Sequence, residues 1–71
     1  MVDLRPGHDM EIPFCGGTMS IYWHRPSLNL GWYPIAEYER NNSLLLHSEG
    51  PENPEHWEDF LHDVFARMKG E

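Results

Sequence analysis

The sequence has few of the features that stabilise small proteins or direct them to a membrane. Its 71 residues include one cysteine, Cys15, so no disulfide can form within a single chain. A lone thiol is typical of a reducing compartment. No apolar run approaches the roughly 20 residues that span a bilayer, and residues 1–7 lack the basic start and apolar run of a signal peptide. We therefore expect a cytoplasmic protein.

Basic residues are also scarce. Twelve acidic residues stand against five lysines and arginines, which gives a formal net charge of −7. Binding to nucleic acid or to an anionic membrane needs basic side chains that replace released counterions. The charge therefore argues against both ligands and is compatible with a basic partner protein. The alternative interpretation is that the net charge only keeps a small protein in solution.

The motifs on which many enzymes and metal sites are built are missing as well, since the chain has no P-loop, GxSxG or CxxC sequence. Cys15 has no base placed beside it, although a nucleophilic cysteine needs a lowered pKa. His56 and His62 are six residues apart, whereas helical zinc pairs are four apart. Glu37 and Glu39 share one face of an extended segment, which is more typical of solvent-facing positions than of a glycosidase pair. We expect no enzymatic activity, no metal and no cofactor.

Residues 10–48 predict an antiparallel sheet of three to four strands after an irregular leader over residues 1–9. Pro13 limits residues 10–14 to an edge strand, and Gly16-Gly17 predicts a tight turn. Residues 18–24 alternate between apolar and polar side chains, with Met19 and Ile21 on the apolar side. The remaining elements are an extended stretch over residues 28–38, interrupted near Gly31 and Pro34, a turn at residues 40–43 and a returning strand over residues 44–47.

Residues 53–69 predict an amphipathic helix. Asn53 is a good N-cap, and Pro54 suits the first helical position because its missing N–H is not needed there. One apolar stripe runs along the helix through Trp57, Phe60, Leu61, Val64, Phe65 and Met68. This stripe is the only other large apolar surface that can cover a face of the sheet. We predict an α+β fold, a small antiparallel β-meander packed against one C-terminal helix, as a single domain over residues 1–71.

The acidic residues are concentrated near and on this helix. Half of them fall between Glu49 and Asp63, with no lysine or arginine among them, and on the helix they recur opposite the apolar stripe. Such a row imitates a phosphate backbone and would steer a basic partner, unless it simply faces water. Tyrosines that the helix leaves uncovered would add contact area. The predicted partner-binding residues are Glu52, Glu55, Glu58, Asp59, Asp63, Tyr22, Tyr33 and Tyr38.

In size, acidity and lack of catalytic equipment, the chain resembles the small proteins with which phages block host defences, anti-CRISPR and anti-restriction inhibitors among them. The resemblance is one of type. It implies a non-catalytic inhibitor that binds a basic nucleic-acid-binding protein or complex, in the host cytoplasm if a phage encodes it. The alternative is a structural homodimer or small assembly subunit, in which the outer sheet face or the helix is buried against a second copy.

Overall fold

A computed structural model describes residues 4–69, so residues 1–3 of the predicted leader and residues 70 and 71 lie outside it. Its elements are β1 (Met10–Phe14), β2 (Gly17–His24), β3 (Tyr33–Arg40), β4 (Ser43–Glu49), a 3-10 turn (Pro54–His56) and α1 (Trp57–Lys69). The strands form one sheet in the order β1-β2-β3-β4, and each pair is antiparallel. The predicted α+β fold, a β-meander followed by one C-terminal helix, is confirmed. No helix within residues 4–69 is long and apolar enough to cross a bilayer.

The turn between β1 and β2 consists of Cys15 and Gly16, which have φ angles of 49° and 79°. Phe14 pairs with Gly17 across this two-residue loop, and positive φ at both positions is the geometry that two-residue hairpins favour. The turn therefore lies one residue before the predicted Gly16-Gly17 position. Gly17 serves packing instead, because a Cβ atom there would clash with the backbone carbonyl of Glu39.

The second hairpin turn lies at Asn41 and Asn42, with φ angles of 53° and 63°, within the predicted turn at residues 40–43. Asparagine tolerates this left-handed conformation better than most residues. β4 is longer than the predicted strand over residues 44–47. The register also shifts by one residue after Tyr38, because Tyr38 pairs with Leu46 and the next residue pairs with Leu44. Leu45 is thus the extra residue of a β-bulge.

The predicted start of the second extended stretch at residue 28 was wrong, since β3 begins at Tyr33. Residues 27–30 form a turn instead. The carbonyl of Ser27 accepts a hydrogen bond of 3.1 Å from the amide of Leu30, and its hydroxyl accepts one of 3.2 Å from the amide of Asn29. A serine hydroxyl that bonds the backbone two residues ahead competes with extended structure.

The core lies between α1 and one face of β2 and β3. The alternation in β2 buries Met19 and Ile21 completely, and α1 contributes Leu61, Val64 and Met68 to the same cluster. Full burial of such side chains stabilises the fold by about 1.5–3 kcal/mol each. The helix stripe and the apolar sheet face therefore cover each other, as the sequence predicts.

Tyr38 belongs to this core, so its prediction as an exposed partner-binding residue was wrong. The side chain is 0% exposed, because it shares a face of β3 with Ala36 and points toward α1. Its hydroxyl is close to the carbonyl oxygens of Phe14 and Cys15, at 2.6 Å and 3.0 Å, and donates its proton to them. Tyr38 thereby ties β3 to the β1–β2 turn.

Two tryptophans fix the chain at the end of the sheet where α1 begins. The indole N–H of Trp23 donates to the carbonyl of His8 at 3.0 Å, and that of Trp57 donates to the carbonyl of Pro51 at 2.9 Å. The two rings meet edge to face with centroids 4.8 Å apart. Asn53 caps the following turn, since its side-chain oxygen accepts a 3.0 Å hydrogen bond from the amide of Glu55. The start of the helix is thus anchored to the sheet.

Truncation of Leu61 tests whether helix docking holds the fold together. Leu61 is 7% exposed, and Leu61→Ala is expected to lower the free energy of unfolding by about 2–5 kcal/mol. That loss is comparable with the roughly 3–5 kcal/mol that a core of this size supplies. Leu28→Ala removes the same atoms from a side chain that is 86% exposed and should change stability by less than about 0.5 kcal/mol. Urea unfolding followed by circular dichroism measures both, and equal losses would contradict the assignment of the core.

Candidate functional site

Four carboxylates lie along the 3-10 turn and the first half of α1, and we name them the acidic row: Glu55, Glu58, Asp59 and Asp63. All four are exposed. Asp59 and Asp63 are one helical turn apart on the flank of α1 that faces away from the buried Val64. Glu55, Glu58 and Asp59 occupy first-turn positions, where the positive end of the helix dipole favours negative charge. The dipole thus helps to hold like charges in one short segment.

One member of the row has an ion-pair partner on the same helix. Arg67 Nη2 is 2.9 Å from Asp63 Oδ2 in an i, i+4 arrangement, and both side chains are about half exposed. Exposed pairs of this kind contribute about 0–1 kcal/mol. A basic group from another molecule can therefore replace Arg67 at Asp63 at little cost.

The other two predicted tyrosines, Tyr22 and Tyr33, lie on the side of the sheet that faces away from α1. Tyr22 alternates along β2 with the core residue Ile21, so it points to the sheet face that α1 does not cover. Tyr33 pairs with His24 on that same face, and the two rings meet with centroids 5.3 Å apart. Both tyrosines are half-buried. The structure therefore places the tyrosines and the acidic row on opposite faces and does not bring them together as one site.

Around these rings lies a second polar surface, the tyrosine face, made of Tyr22, Tyr33, Glu37, His47 and Glu49. Glu37 Oε2 and His47 Nδ1 are 2.6 Å apart, and the Glu37 carboxylate is close enough to Tyr22 to raise the pKa of its hydroxyl. The three side chains form a row across β2, β3 and β4. The sequence does not predict the pairing of Glu37 with His47, because the Asn41-Asn42 turn alone implies a register one residue different from that of the bulged strand.

The environment of this face shifts the titration of both tyrosines. Burial raises the pKa of Tyr22 above its ordinary value, and the hydrogen bond and negative charge of Glu37 raise it further. Burial likewise raises the pKa of Tyr33, with additional contributions from the negative charges of Glu49 and Glu52. Glu52 was predicted to bind a partner together with the helical acids, and its negative charge also raises the pKa of Tyr33.

A groove that the sequence does not predict lies between the end of β1 and α1, and we name it the β1–α1 groove. Its volume is about 390 Å³, and it is lined by Phe14, Glu58, Leu61, His62, Phe65, Ala66 and Lys69. The rings of Phe14 and Phe65 meet edge to face with centroids 4.9 Å apart. No local pattern predicts this contact, because it joins residues from opposite ends of the chain.

The chemistry offered by these surfaces is that of charge and hydrogen bonding. Ionised carboxylates accept hydrogen bonds without donating any, and they bind arginine through two parallel N–H bonds. Within residues 4–69, no three His, Cys, Asp or Glu side chains converge on a position that could hold a metal ion. Cys15 is exposed in its turn.

Comparison with protein-family models, with curated proteins and with solved structures gives no match to this chain.

The raised pKa of Tyr22 predicts how the tyrosine face responds to alkaline pH. A raised folded-state pKa favours the protonated phenol, so its contribution to stability is present below the unfolded-state pKa and is lost as pH rises through the folded-state value.

Glu37→Gln should lower the pKa of Tyr22 by removing a negative charge, whereas Glu39→Gln, on the same strand, should leave it unchanged. NMR titration of the ring carbons measures this shift. An unchanged pKa in Glu37→Gln would contradict the assigned contact.

Proposed function

We propose that this protein is a non-catalytic inhibitor that binds a basic nucleic-acid-binding protein or complex through the acidic row, in the manner of the anti-CRISPR and anti-restriction inhibitors that it resembles in type. The observation that carries the proposal is a run of four exposed carboxylates on a helix that is anchored at its start and docked along its length. Among residues 54–66, which hold this run, no lysine or arginine occurs.

The geometry of the row supports mimicry of a nucleic-acid backbone. Asp59 and Asp63 are about 6 Å apart along the helix axis, since each residue rises by 1.5 Å. In DNA, a phosphate and the second phosphate after it on the same strand are roughly 7 Å apart along the axis of the double helix. Because Leu61, Val64 and Met68 hold the helix on the sheet, the backbone that carries these exposed carboxylates is fixed before they meet a partner. Preorganisation of this kind lowers the entropy lost on binding.

Electrostatics supports the same partner class. The net charge of −7 attracts a basic surface over a long range, and the carboxylates then form charge-assisted hydrogen bonds with arginine and lysine side chains. Both contributions weaken when salt screens the exposed charges. A partner whose basic surface holds nucleic acid cannot hold nucleic acid and the acidic row at the same time. Binding of the row therefore inhibits the partner by competition.

The tyrosine face is not needed for this contact. Tyr22 and Tyr33 lie on the sheet face opposite α1, so a partner surface that covers the row does not reach them unless it surrounds the protein. Glu52 contributes negative charge at Tyr33 and is not a member of the row. The proposed binding site is therefore smaller than the set predicted from the sequence and consists of the acidic row.

The proposal is tested by capture of partners from bacterial lysates on the tagged protein. In the row variant, Glu55, Asp59 and Asp63 are each changed to lysine, while Glu58 is kept because it lines the β1–α1 groove. In the matched control, the exposed Glu11, Glu39 and Glu49 of the sheet are changed to lysine, which gives the same net charge. We expect a basic nucleic-acid-binding protein to be retained by the wild type and the control, released by high salt, and lost by the row variant.

Inhibition is measured on the captured protein with fluorescently labelled nucleic acid. The wild type should displace the nucleic acid in a concentration-dependent manner, and the row variant should not. Equal capture by the wild type and the row variant, or a captured protein that binds nucleic acid equally well with the inhibitor present, would refute the proposal.

A further inference from the structure

The residues that α1 contributes to the β1–α1 groove form a second stripe along the helix, beside the core stripe. They are Glu58, Leu61, His62, Phe65, Ala66 and Lys69, which recur at steps of three and four residues and therefore share one flank. The negatively charged Glu58 lies at the beginning of the stripe, and the positively charged Lys69 lies at its end. Apolar and aromatic side chains lie between them.

This stripe is complementary to its own reverse. When the order is inverted, Glu58 comes opposite Lys69, so that opposite charges meet at both ends. Leu61, a core side chain that is 7% exposed at the floor of the groove, comes opposite the small and exposed Ala66. At the centre, His62 comes opposite Phe65. An antiparallel copy of the helix, related by a two-fold axis, presents this inverted order, as an isologous interface requires.

We propose that the β1–α1 groove binds a second copy of this chain, and that the two α1 helices pack antiparallel across a two-fold axis. Ala66 has a small side chain and is exposed, which allows helix axes to approach to about 8–10 Å. Phe14 and Phe65 are half-buried in the single chain, and the second copy would cover their remaining surface. The second copy would thus cover the apolar floor of the groove.

The charges at the two ends of the stripe select this orientation. Neither Glu58 nor Lys69 makes an ion pair with any other residue of the part of the chain from 4 to 69. They are separated by roughly 16 Å along the helix, so each is free to meet its counterpart at the opposite end of the partner helix. A parallel arrangement would place like charges together, which costs several kcal/mol at an interface.

The repulsion between two acidic chains is limited by where the other acids lie. Asp59 and Asp63 are on the flank of α1 away from the groove, since neither lines it. The dimer would therefore keep the two copies of these carboxylates outside the interface. Asp59 and Asp63 would meet a basic partner on one flank of the helix and the dimer would use the other flank, so Glu58 is the one residue of the acidic row that lies at the dimer contact.

Pairing of sheet edges is a poorer route to a dimer in this fold. β1 carries Pro13, which has no N–H to donate to a neighbouring strand. β4 carries the bulge at Leu45, which disrupts a regular edge. Both edges therefore have the features by which natural sheets avoid edge-to-edge association.

Sedimentation velocity over a range of protein concentrations tests the proposal. The contact is small, so we expect a dissociation constant on the order of micromolar and, above it, a mass of about twice that of the 8.4 kDa chain. Glu58→Lys alone and Lys69→Glu alone each place like charges at both ends and should weaken the dimer by about tenfold or more. The double variant that carries both substitutions restores opposite charges and should restore the dimer.

Two further variants control for charge and for shape. Asp59→Lys makes the same charge change as Glu58→Lys on the other flank and should leave the dimer intact. Ala66→Trp enlarges an exposed side chain without disturbing the core. The variant should be folded by circular dichroism and monomeric by sedimentation velocity. A wild type that stays monomeric at millimolar concentration, a dimer that survives both single reversals, or a double variant that stays monomeric would each overturn the proposal. Because the row variant leaves all groove residues unchanged, the loss of partner capture and the loss of the dimer are separate results.

Discussion

Docking of α1 onto the apolar face of β2 and β3 is the interaction on which every other feature of this protein depends. An isolated helix of 13 residues is marginal in water, and without it the sheet would expose Met19 and Ile21 to solvent. When the two surfaces meet, Leu61, Val64 and Met68 complete a single core cluster with the sheet residues. Tyr38 adds the hydrogen bonds that hold β3 to the β1–β2 turn. Each element is stable because the other covers it.

The same docking determines which surfaces remain available for binding. One flank of α1 carries Asp59 and Asp63, the other flank lines the β1–α1 groove with Phe65, and the far face of the sheet carries Tyr22 and Tyr33. A chain of this length has little interior, so most of its chemically distinctive side chains lie at its surface. The proposed functions follow from that separation, because a basic partner would contact Asp59 and Asp63 on one flank of the fixed helix, whereas a second copy would contact the other flank, where Glu58 lies.

The sequence predicts the parts of this structure that depend on local pattern. The cap at Asn53, the apolar stripe of α1 and the alternation in β2 each arise from neighbouring residues, and so does the exposure of the helical acids. Tyr38 was assigned to the wrong face because proline and alanine precede it on β3, so that no clear alternation marks the buried side. The Glu37–His47 pair depends on the bulge at Leu45, and the groove depends on a contact between the two ends of the chain. These features are set by tertiary packing, which no local pattern encodes.

Native-state hydrogen exchange by NMR tests the central claim most directly, namely that helix and sheet form one cooperative unit. If docking holds the fold together, the most protected amides of α1, β2 and β3 will exchange with one common free energy, equal to that of global unfolding. Amides of α1 that exchange at a much lower free energy, while those of β2 and β3 stay protected, would contradict the claim. They would mean that the helix undocks from an intact sheet and that the acidic row is not held on a fixed support.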